Sequence, residues 1–96
     1  MIQPEFQYKN ITTQDTFILE TSACLLHAVS INKPVANSVV GLYDNALGTT
    51  ANPVAVITSP ASPDELFTLF YDVRLANGLT VITSVANPNI TVAYQQ

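Results

Sequence analysis

The chain carries one histidine, His27, and one cysteine, Cys24. Together a thiol and an imidazole are the parts of a nucleophile–base pair. Both fall in the run "ACLLHAVSI", Ala23 to Ile31, which reads as a β-strand. Residues three apart on a strand point to opposite faces, so the two do not form a local pair. On that reading His27 shares a face with Leu25, Val29 and Ile31, the setting of a buried or interfacial histidine. Cys24 is expected to be a small buried hydrophobe. A serine triad would need His27, an acid and a serine, and no nucleophile-elbow sequence supplies the last.

The remaining chemistry is equally sparse. A zinc site wants three or four Cys, His or carboxylate ligands, and one Cys with one His falls short. A calcium site wants clustered oxygens. Asp44-Asn45 and Asp64-Glu65 are the candidates, and both read as turn residues or as helix or loop starts. Gly41, Gly48 and Gly78 are isolated, so no loop cradles a phosphate. No catalytic residue, metal ligand or cofactor site is nominated, and the expectation is a protein that is not an enzyme.

Only 10% of the 96 residues are charged, against about 25% in typical soluble domains. Hydrophobic residues make up 48%, and Asn, Thr, Ser and Gln supply most of the polarity. Such a surface repels other copies weakly, which suits life inside an assembly. An extracellular or virion-type composition fits as well. Lys9, Lys33 and Arg74 are scattered in a chain of net charge −4, which argues against a nucleic-acid groove binder, though not against a protein that sits near nucleic acid. "MIQPEFQYKN" has no basic stretch followed by an apolar run, so no signal peptide is read there. The charge-free stretches Asn45 to Pro63 and Leu75 to Gln96 are broken by prolines and turns, so no membrane-spanning helix is expected.

The elements that must position these residues are strands. No segment keeps a helical period, and short β-rich runs alternate with turn signals. Strands are expected over Phe17–Ser22, Ala23–Ile31, Ser38–Asp44, Val54–Thr58, Leu66–Leu75, Leu79–Val85 and Ile90–Gln95. Gly41 inside the third marks a bulge or the close approach of another backbone. A short helix over Pro63 to Phe70, capped by Ser62, is the competing reading. The sum is an all-β class, a small antiparallel β-sandwich or β-barrel of six to seven strands. Residues 1–12 read as an N-terminal arm or first edge strand, and residues 13–96 as one β domain.

"DVRLANGLTVIT", residues 72–83, reads as a hairpin about Asn77-Gly78. A two-residue turn would set the apolar residues of the second strand beside Asp72 and Arg74. A three-residue loop, Ala76-Asn77-Gly78, with Gly78 left-handed in a bulge, opposes Leu75 to Leu79 and Val73 to Val81. Tyr71, Val73, Leu75, Leu79 and Val81 then share one inward face. Phe70 and Ile82 are left on the outer face, where a cluster of apolar side chains marks an interface. Phe6 and Tyr8, alternating with polar residues, join them as possible interface residues.

In order, "ACLLHAVSIN", "VVGLYD", "PVAVIT", "FYDVRLANGLTVITS" and "NPNITVAY" resemble a set of very small virion structural proteins of tailed bacteriophages. The elements that carry the likeness are Leu25-Leu26-His27, Val40 to Asp44, Phe70 to Ser84 and Ile90 to Tyr94, within residues 23–94. The resemblance implies a compact, non-enzymatic β-sandwich present in repeated copies in the virion. A capsid decoration or cement protein comes first, and a head–tail connector or tail structural protein is the alternative. Its partners would be copies of itself and the major capsid or other virion proteins, with no direct nucleic-acid or membrane contact. A host-surface binding module ranks lower, because the loops Asn45–Pro53 and Ser59–Asp64 carry no aromatic residue.

Overall fold

A computed structural model describes residues 6–59, 66–86 and 88–96. They form eight strands: β1 (Gln7–Ile11), β2 (Thr16–Glu20), β3 (Cys24–Lys33), β4 (Val39–Tyr43), β5 (Pro53–Thr58), β6 (Phe67–Leu75), β7 (Leu79–Thr83) and β8 (Asn89–Gln95). These make two four-stranded sheets, ordered β1-β8-β3-β6 and β2-β7-β4-β5. Every pairing is antiparallel. The all-β class holds, and neither sheet closes into a barrel. The competing helix does not form over Phe67–Phe70, which is strand; Ser62 to Glu65 lie outside the described residues.

One buried cluster draws on both sheets. Ile11, Cys24, Leu26, Val29, Ile31, Leu75, Ile90 and Val92 come from the first, and Val40, Leu42, Ile57, Leu79 and Val81 from the second. Burying a side chain such as Leu, Ile or Val stabilises by about 1.5–3 kcal/mol. In β8 the alternation is plain: Ile90 and Val92 are buried and Thr91 and Ala93 lie on the other face. Lys9 is on the inner side of edge strand β1, and its Nζ lies 5.8 Å from the centre of the Phe17 ring on edge strand β2. This cation–π contact joins the two sheet margins.

The expected hairpin does not exist. β6 pairs with β3, while β7 lies between β2 and β4. Ala76-Asn77-Gly78 therefore carries the chain from one sheet to the other instead of folding it back. Leu75 and Leu79 both enter the buried cluster, but from different sheets. Matching apolar patterns alone cannot distinguish two strands side by side in one ladder from two strands contributing to one core from separate sheets. Val73, placed inward by the hairpin reading, does stand opposite buried Leu26 on the inner face, but is 37% exposed.

Two local devices fix the crossing. The Asp44 carboxylate accepts hydrogen bonds from the Ala76 and Asn77 amides, at 3.1 and 2.8 Å. Gly78 has φ 149°, and a Cβ there would stand 2.6 Å from the Glu20 carbonyl oxygen. Only glycine meets both conditions without displacement. Next to Asp44, buried Asn45 donates to the carbonyls of Thr49 and Ala51 and accepts from the Leu47 amide and the Thr80 hydroxyl. The Asp44-Asn45 pair thus serves turns.

Gly41 does not mark a bulge. It sits in the ladder between Val56 and Ile82. A Cβ on it would lie 2.4 Å from Tyr43 Oη and 2.5 Å from the ring. The glycine makes room for the aromatic ring two residues on, along the same face.

Candidate functional site

The outer face of the first sheet gathers the side chains with chemical or binding potential. Cross-strand register sets Tyr8 beside Ala93, Ala93 beside Ala28, and Ala28 beside Phe70. Two alanines therefore form a low floor between two exposed rings. Tyr8 is 73% and Phe70 68% exposed.

Next to that row the ladder is irregular. No residue of β8 stands opposite His27, because Leu26 pairs with Tyr94 and Ala28 with Ala93. On the other side Leu26 pairs with Val73 and Ala28 with Phe70, so Tyr71 and Asp72 both stand opposite His27. Asp72 takes the left-handed conformation, φ 49°. The irregularity reverses the facing of β3. His27 lies on the outer face with Leu25, while Val29 and Ile31 join Cys24 and Leu26 inside. The expectation that His27 shares a face with Val29 and Ile31 is corrected accordingly. An inserted residue changes parity, and an alternation pattern does not reveal it.

The displaced imidazole is well partnered. His27 Nδ1 and Asp72 Oδ1 are 2.5 Å apart. The Phe6 ring stacks on the imidazole with centroids 4.2 Å apart and planes inclined by 18°. Phe70 meets it edge-on at 5.7 Å and 65°. These are ordinary favourable aromatic geometries. A carboxylate on Nδ1 is also the orienting half of a general-base arrangement. No serine, threonine or cysteine side chain is hydrogen-bonded to the imidazole among the described residues. Cys24 is buried in the core, where desolvation, then Glu20 and Asp44, push its thiol pKa up against an opposing effect of Arg74. It is held as a thiol rather than a nucleophilic thiolate. No group of three or more His, Cys, Asp or Glu gathers among the described residues.

Beyond the alanine floor the face turns polar. Asn10 Nδ2 donates to Asn89 Oδ1 at 2.8 Å, and Asn32 Nδ2 donates to the same oxygen at 3.1 Å and to Thr91 Oγ1 at 2.9 Å. Ser30 and Thr68 share a hydroxyl hydrogen bond at 3.0 Å. The first set links β1, β8 and β3, and the Ser30–Thr68 pair links β3 to β6.

Of the residues read as a possible interface, Phe6 and Phe70 meet through His27, and Tyr8 lies on the same face. Ile82 does not join them. It is half-buried on the outer face of the second sheet, between Thr16 and Gly41. Asn77 and Gly78 belong to the crossing between the sheets. His27 and Asp72 are the members that strand periodicity missed; they are 45 residues apart and meet only because β3 pairs with β6. Comparison with protein-family models, with curated proteins and with solved structures returns no match.

Proposed function

We propose that the chain is a non-enzymatic structural subunit of a bacteriophage particle, a small β-sandwich acting as a capsid decoration or cement protein. The observation that carries the assembling role is the outer face of the first sheet. There Phe6, His27 and Phe70 form a continuous ring cluster, with Tyr8 across the alanine floor. Large exposed aromatics around small residues offer apolar area with little side-chain entropy to lose. The low charge of the chain leaves little to repel a neighbouring subunit. The particle itself comes from the resemblance over residues 23–94. The mechanism is surface complementarity: the aromatic face packs on copies of the chain or on the major capsid lattice, without contacting DNA or membrane.

The test is binding of purified protein to undecorated capsids, followed by cryo-EM localisation in the native particle. Density on the head surface supports decoration. Density at the neck or tail transfers the same chemistry to a connector or tail subunit. Glycan binding that is lost in Tyr8→Ala and Phe70→Ala, with no capsid binding, would replace the reading by a host-surface module.

A further inference from the structure

We infer that two copies of this chain join through β6, each strand adding to the other's first sheet so that one sheet runs through both. The contact rests on the assembling role proposed above, but not on the identity of the particle.

β6 is the last strand of its sheet and pairs only with β3 among the described residues. An edge strand presents unpaired amides and carbonyls to any strand that approaches. The four sheet margins are unequal. β1 and β2 have five residues each and carry Lys9 and Glu20, and the six-residue β5 opens on Pro53, which has no N–H. β6 has nine residues. From Leu66 to Tyr71, "LFTLFY" has no charge, no proline and no glycine. Monomers normally guard such an edge with charges or a bulge. Among the described residues the charges and the irregularity on this strand, Asp72 and Arg74, lie toward its C-terminal end.

The charge-free stretch is self-complementary. A two-fold axis through Leu69 opposes Leu69 to its own copy, Phe67 to Tyr71 and Thr68 to Phe70. Directly opposed residues share a face. Phe67, Leu69 and Tyr71, partly buried against the core cluster, would meet one another and complete their burial. Thr68 and Phe70 would meet outside, bringing the ring clusters of Phe6, His27 and Phe70 toward each other across the axis. An axis between residues would oppose Leu69 to Phe70 and mix the two faces. An axis through Phe70 would require Asp72, with its positive φ, inside the ladder. The Leu69 axis uses only the regular stretch Phe67–Tyr71 and ends at the bulge. The interface is isologous, so the contact closes at two copies.

Sedimentation velocity of the full chain, from micromolar to hundreds of micromolar, should show a dimer. Thr68→Lys, at an exposed position, should weaken it at least tenfold and leave the circular dichroism spectrum unchanged. Tyr8→Ser, on the same face but at the opposite margin, should leave the dimer intact. In a Cys24→Ala background, Leu69→Cys should oxidise to a covalent dimer, since opposed strand residues lie at disulfide-forming separations. A folded wild-type protein that stays monomeric overturns the contact. So does a dimer lost in Tyr8→Ser but not in Thr68→Lys, or one that Leu69→Cys cannot cross-link. A monomer that still binds capsids removes this contact and leaves the proposed function standing; a β6 dimer that binds no capsid does the reverse.

Discussion

His27 and Asp72 lie 45 residues apart in the chain and 2.5 Å apart in space, each at the irregular point of its strand. The pair is partly exposed, so its side-chain contact contributes roughly 0–1 kcal/mol. The backbone of Asp72 matters more. Its φ of 49° suits Asp or Asn and is costly for β-branched residues. Asp72→Asn should therefore cost under about 1 kcal/mol, and Asp72→Val about 1–2 kcal/mol more. Urea denaturation of both variants reads the difference. Equal losses would mean that the side-chain contact, rather than the backbone, dominates.

The carboxylate of Asp44 holds the crossing from the first sheet to the second through two amides. Hydrogen bonds to a charged group contribute about 1.5–3 kcal/mol when lost from a protected site, and less near solvent. Asp44→Ala should destabilise by about 2 kcal/mol and speed amide exchange at Ala76 and Asn77. Exchange there that does not change, with stability lowered elsewhere, would place the role of Asp44 in the Asn45–Asn52 loop instead.

Glycines 41 and 78 should respond differently to alanine. At Gly78 the obstacle is the Glu20 carbonyl, on backbone, with a positive φ besides. Gly78→Ala should cost about 1–3 kcal/mol or more, and no side-chain change nearby should recover it. At Gly41 the obstacle is the Tyr43 ring, the far end of a flexible side chain. Gly41→Ala should be destabilising in the wild type and much less so in a Tyr43→Ala background. A double-mutant cycle reads the coupling, expected at about 0.5–3 kcal/mol. Additive effects at 41 and 43 would falsify the ring-over-glycine account.

The strands themselves were legible because short β-rich runs are set off by turn signals. "ACLLHAVSI", "SVVGLYD" and "ITVAYQ" all became strands at nearly the expected limits. Pairing was not legible to the same degree. Asn77-Gly78 announces a turn, and Leu75 and Leu79 announce a shared apolar environment, but both signals are met equally by a crossing between sheets. The parity of β3 was lost for a related reason. An extra residue at His27 leaves the composition of the strand unchanged while reversing which side chains face inward. The His27–Asp72 contact follows from that bulge and from the β3–β6 pairing, so nothing local to either residue announces it. Phe6 and Phe70, by contrast, could be singled out from the sequence because large apolar residues on a polar strand face stand out one at a time.

Stability should fall at alkaline pH, and the sign follows from three buried or half-buried acids. Burial raises the pKa of Cys24 above its ordinary value of 9.0 and those of Tyr71 and Tyr94 above 10.0; Glu20 adds to the effect at Cys24 and Tyr94. Each is neutral in its protonated form, so the folded state keeps a proton that the unfolded chain releases. Above the ordinary values the unfolded state binds fewer protons, and unfolding becomes easier as pH rises. The contribution is fully present below pH 9 and declines first through Cys24, then through the tyrosines, until each folded pKa is passed. Urea midpoints between pH 7 and pH 11 should therefore be flat and then fall. Cys24→Ala lowers the whole curve by removing a buried group, but its decline should begin about one pH unit later. A midpoint that stays flat or rises above pH 9 would overturn the raised pKa values, and a Cys24→Ala curve parallel to the wild type throughout would do so for Cys24.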